Sequence, residues 1–315
     1  MMNVLERFFL RCGSAGCHVN RSAKALYLGL VTLECFCIGN DLAYADTIYV
    51  ANVGPRSIEK FDLSGNGSFF DGSPAKPPQG IVFDGSGSLY VASYDGGTIR
   101  KYDPSGNGTV FASGLSFGAG LAFDSSGNLY AANQGPNTIV KFDPAGNGSV
   151  FASTGLNGPS GLAFDSKGNL YATVPGDNEI VRFDPNGNET VFANSGLSTP
   201  IGLAFDSNGN LYAANWGNNT IEKFNPNGNG SFFGTSGLSL PEGLAFDSRG
   251  NLYVASEGND TIVKFDLSGH ASVFASGLGE PEWITVQVPE PATWALVALG
   301  ASAVFGSRRL RRRLS

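Results

Sequence analysis

The chain has 315 residues, of which 44 are Gly, 16 are Pro and 15% are charged, and 42% are hydrophobic. This Gly-rich, aromatic and Met-poor composition excludes a disordered chain and a helical bundle, and it favours short strands joined by tight turns. The net charge is −7, but setting aside the nine basic and three acidic residues of 1–45 and 308–315 leaves 11 basic and 24 acidic residues in 46–307, so this acidic body is predicted not to bind nucleic acid.

Residues 1–45 are predicted to be a secretory signal peptide. A basic stretch ends at Lys24, an apolar stretch follows over 25–38, and Ala43 and Ala45 are small residues at the two positions that a signal peptidase reads. An uncleaved membrane anchor is the alternative. All four cysteines precede residue 46, so cleavage there leaves a body without disulfides or thiolate metal sites.

A unit of about 41 residues is repeated six times over 46–288. A recurrent tyrosine marks each unit, with steps of 41, 40, 41, 41 and 41 residues between Tyr49, Tyr90, Tyr130, Tyr171, Tyr212 and Tyr253. Each unit holds four short segments rich in β-branched and aromatic residues and bounded by Gly, Asn, Asp or Pro, which is the pattern of strands. Four antiparallel strands per repeat are typical of a propeller blade, so we predict an all-β, six-bladed β-propeller.

The first strand of the repeat occurs only five times in regular position. It is predicted at Gly80–Asp84, Gly120–Asp124, Gly161–Asp165, Gly202–Asp206 and Gly243–Asp247. The missing copy is supplied at the other end of the body, where 281–286 aligns with 241–246. We therefore predict that the last blade is built from both termini, which closes the ring.

Two turns barely vary between repeats, whereas the loops at the opposite rim do. The sequences Asp-Ser-x-Gly-Asn and Asp-Pro-x-Gly-Asn-Gly are structural turns, because Asp and Asn bond the local backbone and Gly supplies positive φ. A binding site is therefore expected at the variable rim, with Tyr94, Gln134 and Trp216 as candidate ligand-binding residues. A Trp in such a loop can stack on a sugar ring, and simple loop packing is the alternative.

The same rim carries the candidate metal ligands. Glu242 and Glu282 precede the inner strands of adjacent blades, and Gln79 precedes that of the next blade. Two carboxylates and an amide could hold Ca²⁺ there, and solvated rim charges are the alternative. His270, the only histidine of 46–288, occupies the structural turn at the other rim, so no catalytic Ser-His-Asp set is predicted at the variable rim.

The C-terminal segment 289–315 has three parts in order. Pro289, Glu290 and Pro291 come first, an apolar run follows over 292–306, and an Arg-rich tail ends the chain. Fifteen helical residues reach about 22 Å, less than the roughly 30 Å of a hydrocarbon core, so the run is a short span suited to transient membrane association.

This order resembles the PEP-CTERM sorting signal of exported proteins in Gram-negative bacteria. The resemblance implies that Pro289, Glu290 and Pro291 are recognised by exosortase, a membrane protease-transpeptidase. It also implies inner-membrane association through 292–306 before processing, and delivery to the cell envelope or the exterior. A plain tail anchor is the alternative.

The repeats resemble NHL repeats and, more loosely, the gluconolactonase-like propellers. The likeness is best in 241–255 and covers nearly all of 46–288. In the gluconolactonase-like enzymes metal ligands precede the inner strand, where Glu242 matches one acidic ligand and Glu282 lies near another. Two functions follow as expectations: a non-enzymatic binding or scaffold protein of the envelope or matrix, with exopolysaccharide or a matrix protein as partner, or a metal-dependent hydrolase or lactonase.

Overall fold

The computed structural model describes residues 46–71 and 76–288, which form six four-stranded antiparallel sheets. The predicted all-β, six-bladed propeller is confirmed. The only helical turn in the described ranges is the 3₁₀ helix Glu257–Asn259, and none of these residues belongs to a helix long and apolar enough to cross a membrane. The predicted signal peptide (1–45) and sorting segment (289–315) lie outside the described residues.

The strands run in chain order, four to a blade, except that blade 1 takes its inner strand from the C-terminal side. From the channel outwards, the blades are β24-β1-β2-β3, β4 to β7, β8 to β11, β12 to β15, β16 to β19 and β20 to β23. The bounds are β1 Thr47–Asn52, β2 Ser57–Phe61, β3 Gly67–Asp71, β4 Pro78–Phe83, β5 Leu89–Ser93, β6 Thr98–Tyr102, β7 Gly108–Ser113, β8 Gly118–Phe123, β9 Leu129–Asn133, β10 Thr138–Phe142, β11 Gly148–Ala152, β12 Leu162–Phe164, β13 Leu170–Val174, β14 Glu179–Phe183, β15 Glu189–Ala193, β16 Pro200–Phe205, β17 Leu211–Asn215, β18 Thr220–Phe224, β19 Gly230–Gly234, β20 Pro241–Phe246, β21 Leu252–Ser256, β22 Thr261–Phe265, β23 Ala271–Ser276 and β24 Pro281–Gln287.

The inner strands do not begin and end quite where the sequence pattern placed them. Most begin two residues earlier, at Pro or Gly, and all five regular ones end at the Phe before the predicted Asp. The Asp belongs to the turn because its carboxylate is occupied there: Asp124 Oδ1 accepts the backbone N–H groups of Ser126 and Asn128 at 2.9 and 2.8 Å. The amide of Asn128 donates to Asp124 Oδ2 at 2.8 Å.

The predicted ring closure is confirmed. Strand β24 pairs antiparallel with β1, from Thr47 opposite Gln287 to Ala51 opposite Trp283. Each of the six inner strands contacts the inner strands of both neighbouring blades, so the described ring is continuous.

The recurrent tyrosines hold neighbouring blades together. Tyr90 of β5 contacts Phe111 of its own blade and Phe123 of the next blade, edge to face, with both centroid distances 5.0 Å. Five blade interfaces share this arrangement, and each such pair contributes about 0.5–1.5 kcal/mol beyond burial of its area. At the sixth interface Tyr253 keeps only its own-blade partner Phe274, and Val286 of β24 packs there instead of a Phe.

Five blades have a glycine where the inner strand meets the backbone of the next blade, and blade 1 has Trp283 at the equivalent position. A Cβ on Gly80 or Gly202 would lie 2.1 Å from a carbonyl oxygen of the next blade, so the strands approach as closely as backbones allow. The ring of Trp283 reaches across the channel, because a Cβ on Gly120 of blade 3 would lie 3.0 Å from Trp283 Cη2. Trp283 is 8% exposed, and Ile201 of blade 5 packs against the same cluster. The channel is therefore closed by one side chain.

The two faces of the ring are formed by different sets of loops, which we call the variable face and the turn face. The variable face contains the loops between second and third strands, such as 94–97, and the loops before the inner strands, such as 114–117. The turn face contains the Asp turns, such as 84–88 and 103–107.

Candidate functional site

A cavity of about 530 Å³ opens on the variable face at the start of the inner strands. Five of the six candidates named from the sequence line it: Tyr94, Gln134, Gln79, Glu242 and Glu282. Trp283, whose side chain closes the channel, is also part of the lining and forms the inner end of the cavity.

The residue before the close-approach position of each inner strand forms a six-membered ring around this cavity. In blade order the ring is Glu282, Gln79, Ala119, Ser160, Ile201 and Glu242. The blade order places Gln79 and Glu242 on either side of Glu282, so half of the ring is acidic or amide and the other half is small or apolar. The cavity is therefore chemically one-sided.

Glu242 is held in its protonated form more strongly than an exposed carboxyl. Its pKa is raised well above the ordinary value, chiefly because its carboxyl is removed from solvent. The charges of Glu282 and Glu257 raise it further, and so does a hydrogen bond with Glu257. The two ring carboxyls therefore titrate together, and their protons belong to the pair.

Burial also raises the pKa of Glu282, to about 7. The amide of Gln79 donates a hydrogen bond to Glu282 Oε2, which acts in the opposite direction, and the charges of Glu257 and Glu280 add to the rise. Near neutral pH the site therefore exchanges protons, and a bound cation would displace them.

Trp216 does not line the cavity but is joined to it through a carboxylate. Its indole Nε1 donates to Glu257 Oε2 at 3.2 Å, and the ring is 36% exposed. Glu257 begins the 3₁₀ helix of blade 6 and contacts Glu242. Trp216 is thus linked to the channel mouth through hydrogen bonds that run from its indole to Glu257 and from Glu257 to Glu242.

The candidate Tyr94 packs on the variable face against Phe117, a residue that the sequence pattern did not indicate. The rings of Tyr94 and Phe117 lie 5.0 Å apart between centroids and are 39% and 45% exposed. Phe117 has φ 55°, a left-handed conformation that bulky residues rarely adopt. Thr199, Leu240 and Glu280 share the conformation before other inner strands, so the backbone of the fold, not the ring itself, presents Phe117 on the surface.

The variable face also contains repeated hydrogen bonds between neighbouring blades, which the sequence pattern alone did not predict. Asn219 in blade 5, at φ 58°, accepts the backbone N–H of Leu240 before the inner strand of blade 6 at 2.7 Å. Equivalent bonds link Asn137 to Gly158, Asn178 to Thr199 and Asp260 to Glu280. The signal was present as Asn or Asp directly before the third strand of four repeats.

The candidate metal ligands are neighbours, but the donor set is small. Among the described residues there is no group of three or more His, Cys, Asp or Glu side chains arranged to hold a metal ion. The predicted set contains two carboxylates and one amide, so Ca²⁺ at Glu242, Glu282 and Gln79 stays a prediction. His270 lies on the turn face, with Nδ1 3.5 Å from Asp266 Oδ2.

Two further cavities, of about 370 and 420 Å³, lie on the turn face between adjacent blades. They are lined largely by the turns and by lysines such as Lys223 and Lys101, which lie over the tyrosine rings of their own blades. Their walls are made of repeated structural residues, so the cavity on the variable face is the candidate site.

The comparisons with known proteins agree with the architecture. The model described as the PEP-CTERM protein-sorting motif matches residues 287–313. No curated protein matches the chain.

Three solved structures illustrate the similarity of fold. A chain of the nidogen/laminin complex is 23% identical with a TM-score of 0.70, covering 76% of this chain and 98% of its own. A gluconolactonase from Xanthomonas campestris is 20% identical with a TM-score of 0.60, covering 76% and 88%. Virginiamycin B lyase from Staphylococcus aureus is 18% identical with a TM-score of 0.56, covering 65% and 73%.

At these identities the neighbours establish the fold alone, and the fold hosts unrelated activities. The C-terminal match differs from these structural similarities, because it identifies a sorting signal and so indicates where the protein is delivered. The chain is a six-bladed β-propeller that carries a PEP-CTERM sorting motif, which indicates an exported protein sorted to the cell envelope of a Gram-negative bacterium.

Proposed function

We propose that this chain is an exosortase-sorted binding or scaffold protein of the cell envelope or extracellular matrix. Its ligand would be an exopolysaccharide or another matrix component, held at the cavity of the variable face. The observation that carries the proposal is the blind cavity of about 530 Å³ whose wall includes Tyr94, backed by Phe117. Aromatic faces with nearby carboxyl and amide groups suit a polyhydroxylated ligand, because sugar rings stack on the former and hydrogen-bond to the latter.

The test is glycan-array binding by the exported chain and its variants. Tyr94→Ala and Phe117→Ala are expected to lower binding of any positive glycan at least about tenfold, since aromatic anchors dominate such sites. Phe232→Ala is the matched control, because Phe232 is 63% exposed but lies on the outer strand β19. Absence of binding to every glycan and to matrix extract, or equal losses in all three variants, would contradict the proposal.

A second candidate is a metal-dependent hydrolase or lactonase. It is favoured by the side-by-side placement of Glu242, Glu282 and Gln79 at the channel mouth and by the gluconolactonase among the structural neighbours. The pKa values of both glutamates are raised, so Ca²⁺ would have to displace protons from them. The affinity for Ca²⁺ is therefore expected to increase as pH rises.

Calorimetric titration with Ca²⁺ at pH 6 and at pH 8 separates the two candidates. If the chain is a metal-dependent hydrolase, it is expected to bind Ca²⁺ more tightly at pH 8 than at pH 6 and to lose this binding in Glu242→Gln. Asp177→Asn, an exposed carboxylate on the same face, serves as the control. Titrations without heat at both pH values would end the metal-dependent reading and leave the binding proposal intact.

A further inference from the structure

Both ends of the described body lie on the turn face. Strand β24 runs from Pro281, the residue before the cavity-lining Glu282, to Gln287, opposite Thr47. The side chain of Gln287 lies against the turn of blade 2, since a Cβ on Gly87 would be 3.2 Å from Gln287 Nε2. At the other end Asp46 Oδ2 accepts the N–H of Ser248, in the turn of blade 6, at 2.7 Å.

The C-terminal exit is also close to the centre of that face. Because β24 is the inner strand of its blade, Gln287 leaves the body beside the channel, not at the outer edge. The sorting motif match begins at residue 287, so no linker separates it from the last strand. The apolar run begins at 292, and the four residues 288–291 span at most about 14 Å when fully extended.

From this exit we propose that the turn face is held towards the lipid bilayer while the tail is inserted, and that the variable face with its cavity points away from it. The inference rests on the sorting part of the proposed function. A central exit and a tether of about 14 Å at most leave the body no freedom to invert. The membrane protease that recognises Pro289, Glu290 and Pro291 then works in the gap beneath the turn face.

The short tether formed by residues 288–291 sets this orientation, and attraction between the turn face and lipid is not required. The outer turns expose Asp62, Asp103, Asp143 and Asp184, and the Asn side chain of each turn donates a hydrogen bond that lowers the pKa of its Asp. These carboxylates stay ionised at physiological pH. Lysines approach three of the inner aspartates instead, at 3.4 to 4.0 Å. The turn aspartates slightly outnumber the lysines and arginines at this end of the strands, so attraction to anionic lipid does not hold the face against the bilayer.

Two single cysteines at opposite ends of one strand test the orientation. Ser126 lies in the turn after β8 and Ser116 in the loop before it, both are exposed, and about 20 Å of strand separates them. The four native cysteines all precede residue 46, so the chain without its signal peptide carries only the introduced label. This chain, with its C-terminal segment 289–315 intact, is reconstituted into phosphatidylcholine vesicles that carry a headgroup-linked acceptor dye.

Energy transfer to the acceptor is expected to be roughly twofold or more greater from Ser126→Cys than from Ser116→Cys, given the strand length between them. Adding phosphatidylglycerol should not change this order. Inserting about ten Gly and Ser residues between Val288 and Pro289 adds about 17 Å of flexible chain and should remove the difference. Equal or reversed transfer in the original chain would overturn the orientation, and a difference that survives the insertion would overturn the tether as its cause.

The same vesicles distinguish this inference from the proposed function. If the chain does not float with the vesicles, the membrane stage of sorting fails and the orientation fails with it. If the chain floats but the two labels respond alike, only the orientation is wrong.

Discussion

The two faces of this propeller are built from the same six repeats but tolerate different changes. On the turn face each Asp bonds two backbone N–H groups of its own turn, so the repeat sequence is nearly invariant. On the variable face the equivalent ring positions range from Ala119 to Glu242, and the cavity lies among them. Positions that are the same in every repeat are those whose side chains hydrogen-bond the backbone of their own turn. Positions that differ between repeats are free of that structural requirement.

The largest effect is expected where the variable face meets the core, at Trp283. Trp283→Ala removes the side chain that closes the channel and should lower the free energy of unfolding by about 3–5 kcal/mol. Urea denaturation of the full chain measures this. Trp216→Ala, which truncates the same residue type at 36% exposure, should stay within about 0.5 kcal/mol. Similar small losses in both variants would show that the plug contributes little.

The buried carboxyls should make stability depend on pH. The pKa of Glu282 is about 7 in the folded chain against 4.5 as the ordinary value, so the unfolded chain binds fewer protons between these pH values. Stability should therefore fall as pH rises from about 4.5 to about 7, by on the order of 2 kcal/mol from Glu282 alone, and the raised pKa of Glu242 should extend the fall to higher pH. Urea midpoints across this range should be flatter in Glu282→Gln.

Asp177→Asn is the matched control for that series, because it neutralises an exposed carboxylate on the same face. It should keep the original slope. If Glu282→Gln keeps the slope as well, the titrating group lies elsewhere.

A turn residue should affect stability without affecting binding. Asp124→Ala leaves the N–H groups of Ser126 and Asn128 without their acceptor and should cost about 1–3 kcal/mol of unfolding free energy. Ser125→Ala, in the same turn, should be nearly neutral. Glycan binding measured at a temperature where both variants are folded should be unchanged, and a specific loss of binding would break the division between the faces.

The smallest effect is expected at the bonds that cross between blades on the variable face. Asn219→Ala loses the bond to Leu240 and places an alanine at φ 58°, so it should cost about 1 kcal/mol. Asn219→Gly loses the same bond but tolerates the conformation. Thermal denaturation should therefore rank the chain above Asn219→Gly and Asn219→Gly above Asn219→Ala, and a reversed order for the variants would show that the backbone is not strained there.

The candidate site was only partly predictable. Blade periodicity placed Gln79, Glu242 and Glu282 on neighbouring inner strands, because equivalent positions of a repeat occupy equivalent places around a ring. The aromatic partner Phe117 was missed because its exposure depends on a left-handed backbone, which no apolar pattern reports. Trp216 was predicted as a candidate ligand-binding residue of the variable rim, and only the structure places its indole N–H against Glu257, because neighbouring loops decide the direction of the side chain.

By itself the sequence determined the repeat, the six blades, the closure by both termini and the C-terminal sorting motif, because each follows from local spacing or from a contiguous motif. Only the tertiary structure decided that Trp283 would span the channel, that two glutamates would be largely withdrawn from solvent in one cavity, and that the chain would leave from the centre of the turn face. Those features depend on distances between segments far apart in the chain, and packing fixes such distances only when the ring is closed.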